Sequence, residues 1–190
     1  MVSNIQIYGL NESIKASKYP MSVDICQCTD EITDRIISLG SAEKGSGHDN
    51  FLNGCIVQFD LTATNKFWVE AERYHFLDFV SSQSTMHRIT KFDIDNSYIK
   101  YTDEFMINRM NELIENYKNN PTPDNYLIVL YSNPSGFRLT ARMTTNYRQL
   151  KTIYYQRKDH RLPEWREFCE WIITLPYMKD FLKLKEKEVN

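Results

Sequence analysis

Between Arg138 and Trp171 the chain reads RLTARMTTNYRQLKTIYYQRKDHRLPEWREFCEW, its densest run of cations, aromatics and amides. Guanidinium forks match phosphate and carboxylate oxygens two at a time, and a helix N-terminus adds unpaired N–H donors for an anion. Both are predicted here. Residues 138–143 alternate long polar and apolar side chains, as a half-buried strand does, and Thr144-Thr145-Asn146 supplies N-cap chemistry for a helix that follows directly. On that helix Asn146, Leu150, Ile153 and Arg157 are spaced to share one face, with Asn146 and Arg157 roughly 16 Å apart along it. Arg148 lies about 200° round from Asn146, so joint use of the two requires the helix end or a second subunit. This donor set suits a small phosphorylated ligand. The same cations, Arg142, Arg148, Arg157, Lys158, Arg161 and Arg166, set against Asp159, Glu164, Glu167 and Glu170, equally describe a solvated ion-paired face. Residue types alone leave both readings open.

Three weaker signals lie upstream. A helix expected over 65–80, capped by Thr64, carries Trp68, Glu72, His75 and Phe79 on one stripe, so Glu72 and His75 form either an acid/base pair or a hydrogen-bonded core histidine. Ser81-Ser82-Gln83-Ser84-Thr85 gathers hydroxyls that suit a phosphate or a plain helix-ending turn. His48 is the chemically versatile side chain of the glycine- and serine-rich loop 41–53.

The elements that must position these groups are those of one ordinary core. A chain of 190 residues, 42% hydrophobic and 25% charged, is expected to form a single domain over 1–190. A net charge of −2 argues against a nucleic-acid coat, whose affinity rests on many cationic contacts. No apolar run approaches the roughly 20 residues of a membrane span, and the polar opening Met1-Val2-Ser3-Asn4 lacks signal-peptide organisation, so a soluble, cytoplasmic protein is expected. Cys26, Cys28, Cys55 and Cys169 read as reduced and mostly buried thiols, and the four histidines show no metal-ligand spacing, so no metal is expected.

Strands are expected over 4–10, 22–26 and 55–63, the last with Val57, Phe59 and Leu61 on its buried face. Helices are expected from Thr29 to Gly40, from Thr102 to about Lys118, from Pro163 through Trp171, and over 179–188. Tyr126–Tyr131 is apolar without a decisive period.

In this order the features resemble the flavin-dependent thymidylate synthases, an α+β family that methylates deoxyuridylate with a reduced flavin and methylene-tetrahydrofolate. The resemblance covers about 45–173, leaving 174–190 as a helical tail. Asn146, Arg148, Leu150, Arg157, Asp159 and Trp165 follow the family's C-terminal pattern, and His48 before Phe51-Leu52 is similar to its histidine loop. The family's Arg-His-Arg, seven residues, Ser-x-Arg signature corresponds to Tyr74-His75-Phe76 and Ser84-Thr85-Met86, which keeps the histidine and serine and loses three arginines.

The resemblance implies an α+β domain with helices on an antiparallel or mixed sheet. It further implies a pyrimidine deoxynucleotide held by Ser84, Arg142, Asn146, Arg148 and Arg157, and FAD, weakened by the lost arginines, near His48, His75 and Asn146. His75, Ser84 and Arg157 would carry catalysis in a homotetramer with sites shared between subunits. A non-catalytic nucleotide or partner binder on the same scaffold is the alternative. A nucleic-acid module stacking bases on Tyr147, Tyr154 and Tyr155 ranks last.

Overall fold

The computed structural model describes residues 1–43 and 45–184. Along the chain these form β1 (Val2–Tyr8), α1 (Leu10–Ala16), α2 (Asp34–Gly40), β2 (Ile56–Thr64), α3 (Asn65–Ala71), β3 (Leu77–Ser82), α4 (Thr85–Arg88), α5 (Glu104–Asn119), α6 (Pro123–Ser132), β4 (Arg138–Asn146), α7 (Tyr147–Arg157), α8 (Pro163–Ile172) and α9 (Met178–Phe181). The strands make one antiparallel sheet in the order β1-β2-β4-β3. The architecture is α+β, as expected.

The alternation of β2 decides which face of the sheet is covered. Val57, Phe59, Leu61 and Ala63 are all 0% exposed, and their partners across β4, with Phe59 opposite Met143 and Leu61 opposite Ala141, continue the same apolar surface. Helices α3, α7 and α8 cover it with Phe67, Leu150, Ile153, Trp165, Phe168 and Ile172. Burying each such side chain contributes about 1.5–3 kcal/mol. A second apolar cluster joins α5 and α6 to the segment around Ile89, Ile94 and Tyr98.

Both central strands run straight into helices through their last residue. Thr64 Oγ1 accepts from Phe67 N (3.2 Å) and donates to Glu164 Oε2 (2.9 Å), while Thr64 N donates to Glu164 Oε1 (2.8 Å). The buried Glu164 thereby ties the first turn of α8 to the start of α3. Asn146 repeats the capping on α7, its Oδ1 accepting from Gln149 N at 2.8 Å.

Three expectations are corrected. The helix from Thr64 stops at Ala71 and the chain returns as β3, because Phe79 and Val80 suit a strand and β4 offers an open edge to pair with. Trp68 and Phe79 still touch, ring centroids 5.1 Å apart, but from a helix and a strand. No strand forms over 22–26: Asp24 accepts from Cys26 N (3.0 Å) and Gln27 Nε2 (3.1 Å), and these local bonds close a 3-10 turn instead. The helix expected from Thr29 begins only at Asp34. Gly40 ends it in close contact, since a Cβ there would sit 2.4 Å from Phe181 Cδ1.

Of the two ends left open, 126–131 belongs to α6, capped by Thr122, and the tail helix reaches only Phe181 before residues 185–188 pass outside the described residues. Cys55 and Cys169 are buried, whereas Cys26 is exposed and Cys28 half-buried. Among the described residues no helix is long and apolar enough to cross a membrane.

Candidate functional site

The apolar stripe of α7 faces the core, so the face predicted to meet a ligand is partly used up. Leu150 and Ile153 are 0% exposed. The adjoining face, Arg148, Gln149, Thr152, Tyr155 and Gln156, instead lines a cavity of about 680 Å³ that runs along α7 from its N-terminal turn. Asn146 and Phe76 close one side, and Ser41, Ala42, Glu43 and Asp49 from the loop after α2 close another.

A buried lysine holds that loop in place. Lys151 Nζ donates to Gly40 O (2.7 Å), Ala42 O (2.8 Å) and Asp49 Oδ2 (3.0 Å), so all three of its N–H groups are used and the loop is tied to α7. Arg148 Nε lies 3.1 Å from the other oxygen, Oδ1, yet that oxygen accepts no hydrogen bond, because the guanidinium is not aligned with it. Two cations thus share one carboxylate, and the pair nearer the cavity is loosely made. This leaves a local surplus of positive charge beside the start of a helix, a favourable setting for an anion.

Of the predicted site residues, Asn146 and Arg148 reach this cavity and the others do not. Arg157, at the far end of α7, donates from Nε to Tyr74 Oη (2.8 Å) and from Nη1 to Glu70 Oε2 (3.2 Å). Its guanidinium lies 4.8 Å from the Trp165 ring centroid and 5.5 Å from that of Tyr74. Arg142 projects on the opposite face of the sheet, bonded to Asn4 O (2.7 Å), Gln6 Oε1 (2.9 Å) and Asp60 Oδ1 (3.2 Å). Ser84 opens α4 without capping it. His75 is exposed in the turn before β3, beside a second hollow of about 450 Å³ with Glu72 and Tyr74. His48 is exposed next to Asp49 in the loop.

Sequence reading missed Asp49, Lys151 and Phe76, and gave Tyr155 only a part in stacking nucleic-acid bases. Lys151 had a signal: it sits four residues after Tyr147 and beside Leu150, inside the apolar side of α7, where a lysine needs a buried partner. Asp49 had none, since its loop carries no period.

The buried thiols are poor nucleophiles. Burial pushes Cys55 up to about 11, against a lowering hydrogen bond from Ser13, and pushes Cys169 up to about 12. Among the described residues no three His, Cys, Asp or Glu side chains are grouped to hold a metal ion.

No protein-family model matches the sequence, and no curated protein does. Solved structures do match. The chain aligns with the flavin-dependent thymidylate synthase ThyX of Helicobacter pylori, crystallised with FAD and dUMP, over 95% of this chain and 97% of that one, with a TM-score of 0.69 and 13% identity. The fold is that of a flavin-dependent thymidylate synthase. A second Helicobacter pylori ThyX structure with FAD and dUMP gives the same TM-score and identity over 93% of each chain. The thymidylate synthase fold is therefore present nearly end to end, carried by a very different sequence. Tyr74 accepts from Arg157 and donates to Gln156 Oε1 at 2.8 Å, and Phe76 stands 65% exposed at the cavity wall.

Proposed function

We propose that the chain is a divergent thymidylate-synthase-like protein that binds a pyrimidine deoxynucleotide monophosphate in the α7 cavity. The observation that carries this is Arg148. It lines the cavity next to the helix N-terminus with its Nε unaligned to Asp49, so its fork can turn to a phosphate while Lys151 keeps the carboxylate company. The Helicobacter pylori relatives of this fold, crystallised with dUMP, support the choice of ligand. Asn146 and Gln149 supply amides for sugar or base.

The lining does not fit a tightly held flavin dinucleotide. Its cations Arg148, Lys151 and Lys183 stand with two carboxylates, Glu43 and Asp49, and Lys151 has no donor to spare. A pyrophosphate calls for more charge-assisted contacts than this. That observation favours, as a second reading, a nucleotide binder that has lost the one-carbon transfer from methylene-tetrahydrofolate. A nucleic-acid module is disfavoured, since Arg142 and Arg157 are each already bonded to a carboxylate.

Assembly as a homotetramer belongs to the same proposal. Arg148 is half-buried at the cavity, and a neighbouring subunit can complete that pocket.

Calorimetric titration with dUMP tests the reading. Binding is expected, weakened by Arg148→Ala by about 1.5–3 kcal/mol, the range for a hydrogen bond to a charged group. Equal affinity in the variant would sink the site. Turnover with folate and reduced flavin separates the enzyme from the binder, and light scattering gives the assembly against the 22.6 kDa chain.

A further inference from the structure

Four non-glycine residues among those described have left-handed backbone, and two of them, Phe76 (φ 63°) and Lys183 (φ 53°), line the α7 cavity. For a bulky side chain this conformation crowds Cβ against the carbonyl, and such strain persists where the surroundings over-determine it, most often at ligand clamps. The surroundings of Phe76 do so. Thr145 Oγ1 donates to its carbonyl, and the next residue, Leu77, is buried and pairs with Thr145 across the sheet. Yet the phenyl ring gains little from the fold, because it is left 65% exposed. Tyr155 lines the same cavity from α7, 51% exposed, and its hydroxyl is fixed by donation to Leu182 O at 3.1 Å.

We propose that Phe76 and Tyr155 form a stacking site for the base of the nucleotide, so that the ring is held by aromatic faces and the phosphate by Arg148. This rests on the nucleotide reading of the cavity and adds how the base is recognised. Stacking on an aromatic ring needs no matched donors, which suits a wall whose charged groups are largely occupied by one another.

The test compares two probes that share a sugar phosphate, dUMP and 2-deoxyribose 5-phosphate, by calorimetry. Wild type is expected to prefer dUMP by roughly tenfold or more, the ratio that one stacked base supplies. Phe76→Gly is expected to cut that preference by roughly tenfold without lowering Tm, since glycine relieves the left-handed strain. Phe76→Trp should restore the preference, Tyr155→Leu should reduce it, and Arg148→Ala should weaken both probes equally. A full preference retained in both Phe76→Gly and Tyr155→Leu, or no preference in wild type, overturns the stacking site and leaves a phosphate site standing. Binding of neither probe by wild type overturns both readings.

Discussion

Lys151 and Asp49 are buried as a pair, 5% and 2% exposed, with Nζ 3.0 Å from Oδ2 across 102 positions of sequence. The pair fixes one wall of the cavity, because the same ammonium also holds the carbonyls of Gly40 and Ala42. Removing one partner of a buried pair strands the other, at about 3–5 kcal/mol. Lys151→Met is expected to lose that much in urea unfolding, and adding Asp49→Asn should recover part of it, since the stranded charge is then gone. A loss under about 1 kcal/mol would show that the clamp is incidental.

Arg157 is expected to behave as scaffold. Its guanidinium lies against both the Tyr74 and Trp165 rings and against Glu70, whose Oε2 also accepts from Trp165 Nε1 at 3.1 Å. Arg157→Ala should cost about 3 kcal/mol of stability through lost stacking and an under-paired carboxylate. Nucleotide affinity of the folded variant should be unchanged when measured below its Tm. A large loss of affinity with stability intact would instead return Arg157 to the ligand site.

The contrast between Arg157 and Arg148 shows what was legible in the residues. The period-two pattern of β2 names Val57, Phe59 and Leu61 as core without any tertiary knowledge, and Thr64 and Asn146 announce the helices they cap. Such local signals give these elements and their order, while the α+β class is implied by the family resemblance. They do not give the direction of a long side chain. Both arginines lie on one helix, and which of them faces a cavity depends on Glu70 and Asp49, which reach α7 from distant elements. The misread helix over 65–80 has the same cause: Leu77 to Ser82 form a strand because β4 has a free edge to offer, and that edge lies some sixty residues ahead in the chain.

Tyr147 is 0% exposed and its hydroxyl has no hydrogen-bond partner among the described residues. Burial pushes its pKa well above the ordinary tyrosine value, with Cys55 nearby adding to the shift. An unsatisfied buried hydroxyl forfeits its water without compensation, so deleting it relieves a penalty. Tyr147→Phe is expected to be neutral to about 1–2 kcal/mol more stable by urea unfolding. A destabilised variant would mean that the hydroxyl has a bonded partner, such as a bound water.

Cys55 gives the fold an alkaline limit. Its thiol is raised from 9.0 to about 11 by burial, partly offset by Ser13. The folded state therefore keeps a proton that the unfolded chain releases above pH 9, and stability falls wherever the unfolded state binds fewer protons. The contribution is complete below pH 9 and is lost between pH 9 and 11, at up to about 1.4 kcal/mol per pH unit. Cys55→Ala removes the titrating group from both states, at the cost of a small cavity that lowers stability equally at every pH. Urea unfolding of both proteins across this range should give a shallower slope for Cys55→Ala, with the two curves converging as pH rises. Parallel curves would mean that the thiol titrates alike in both states, and that Cys55 contributes packing alone.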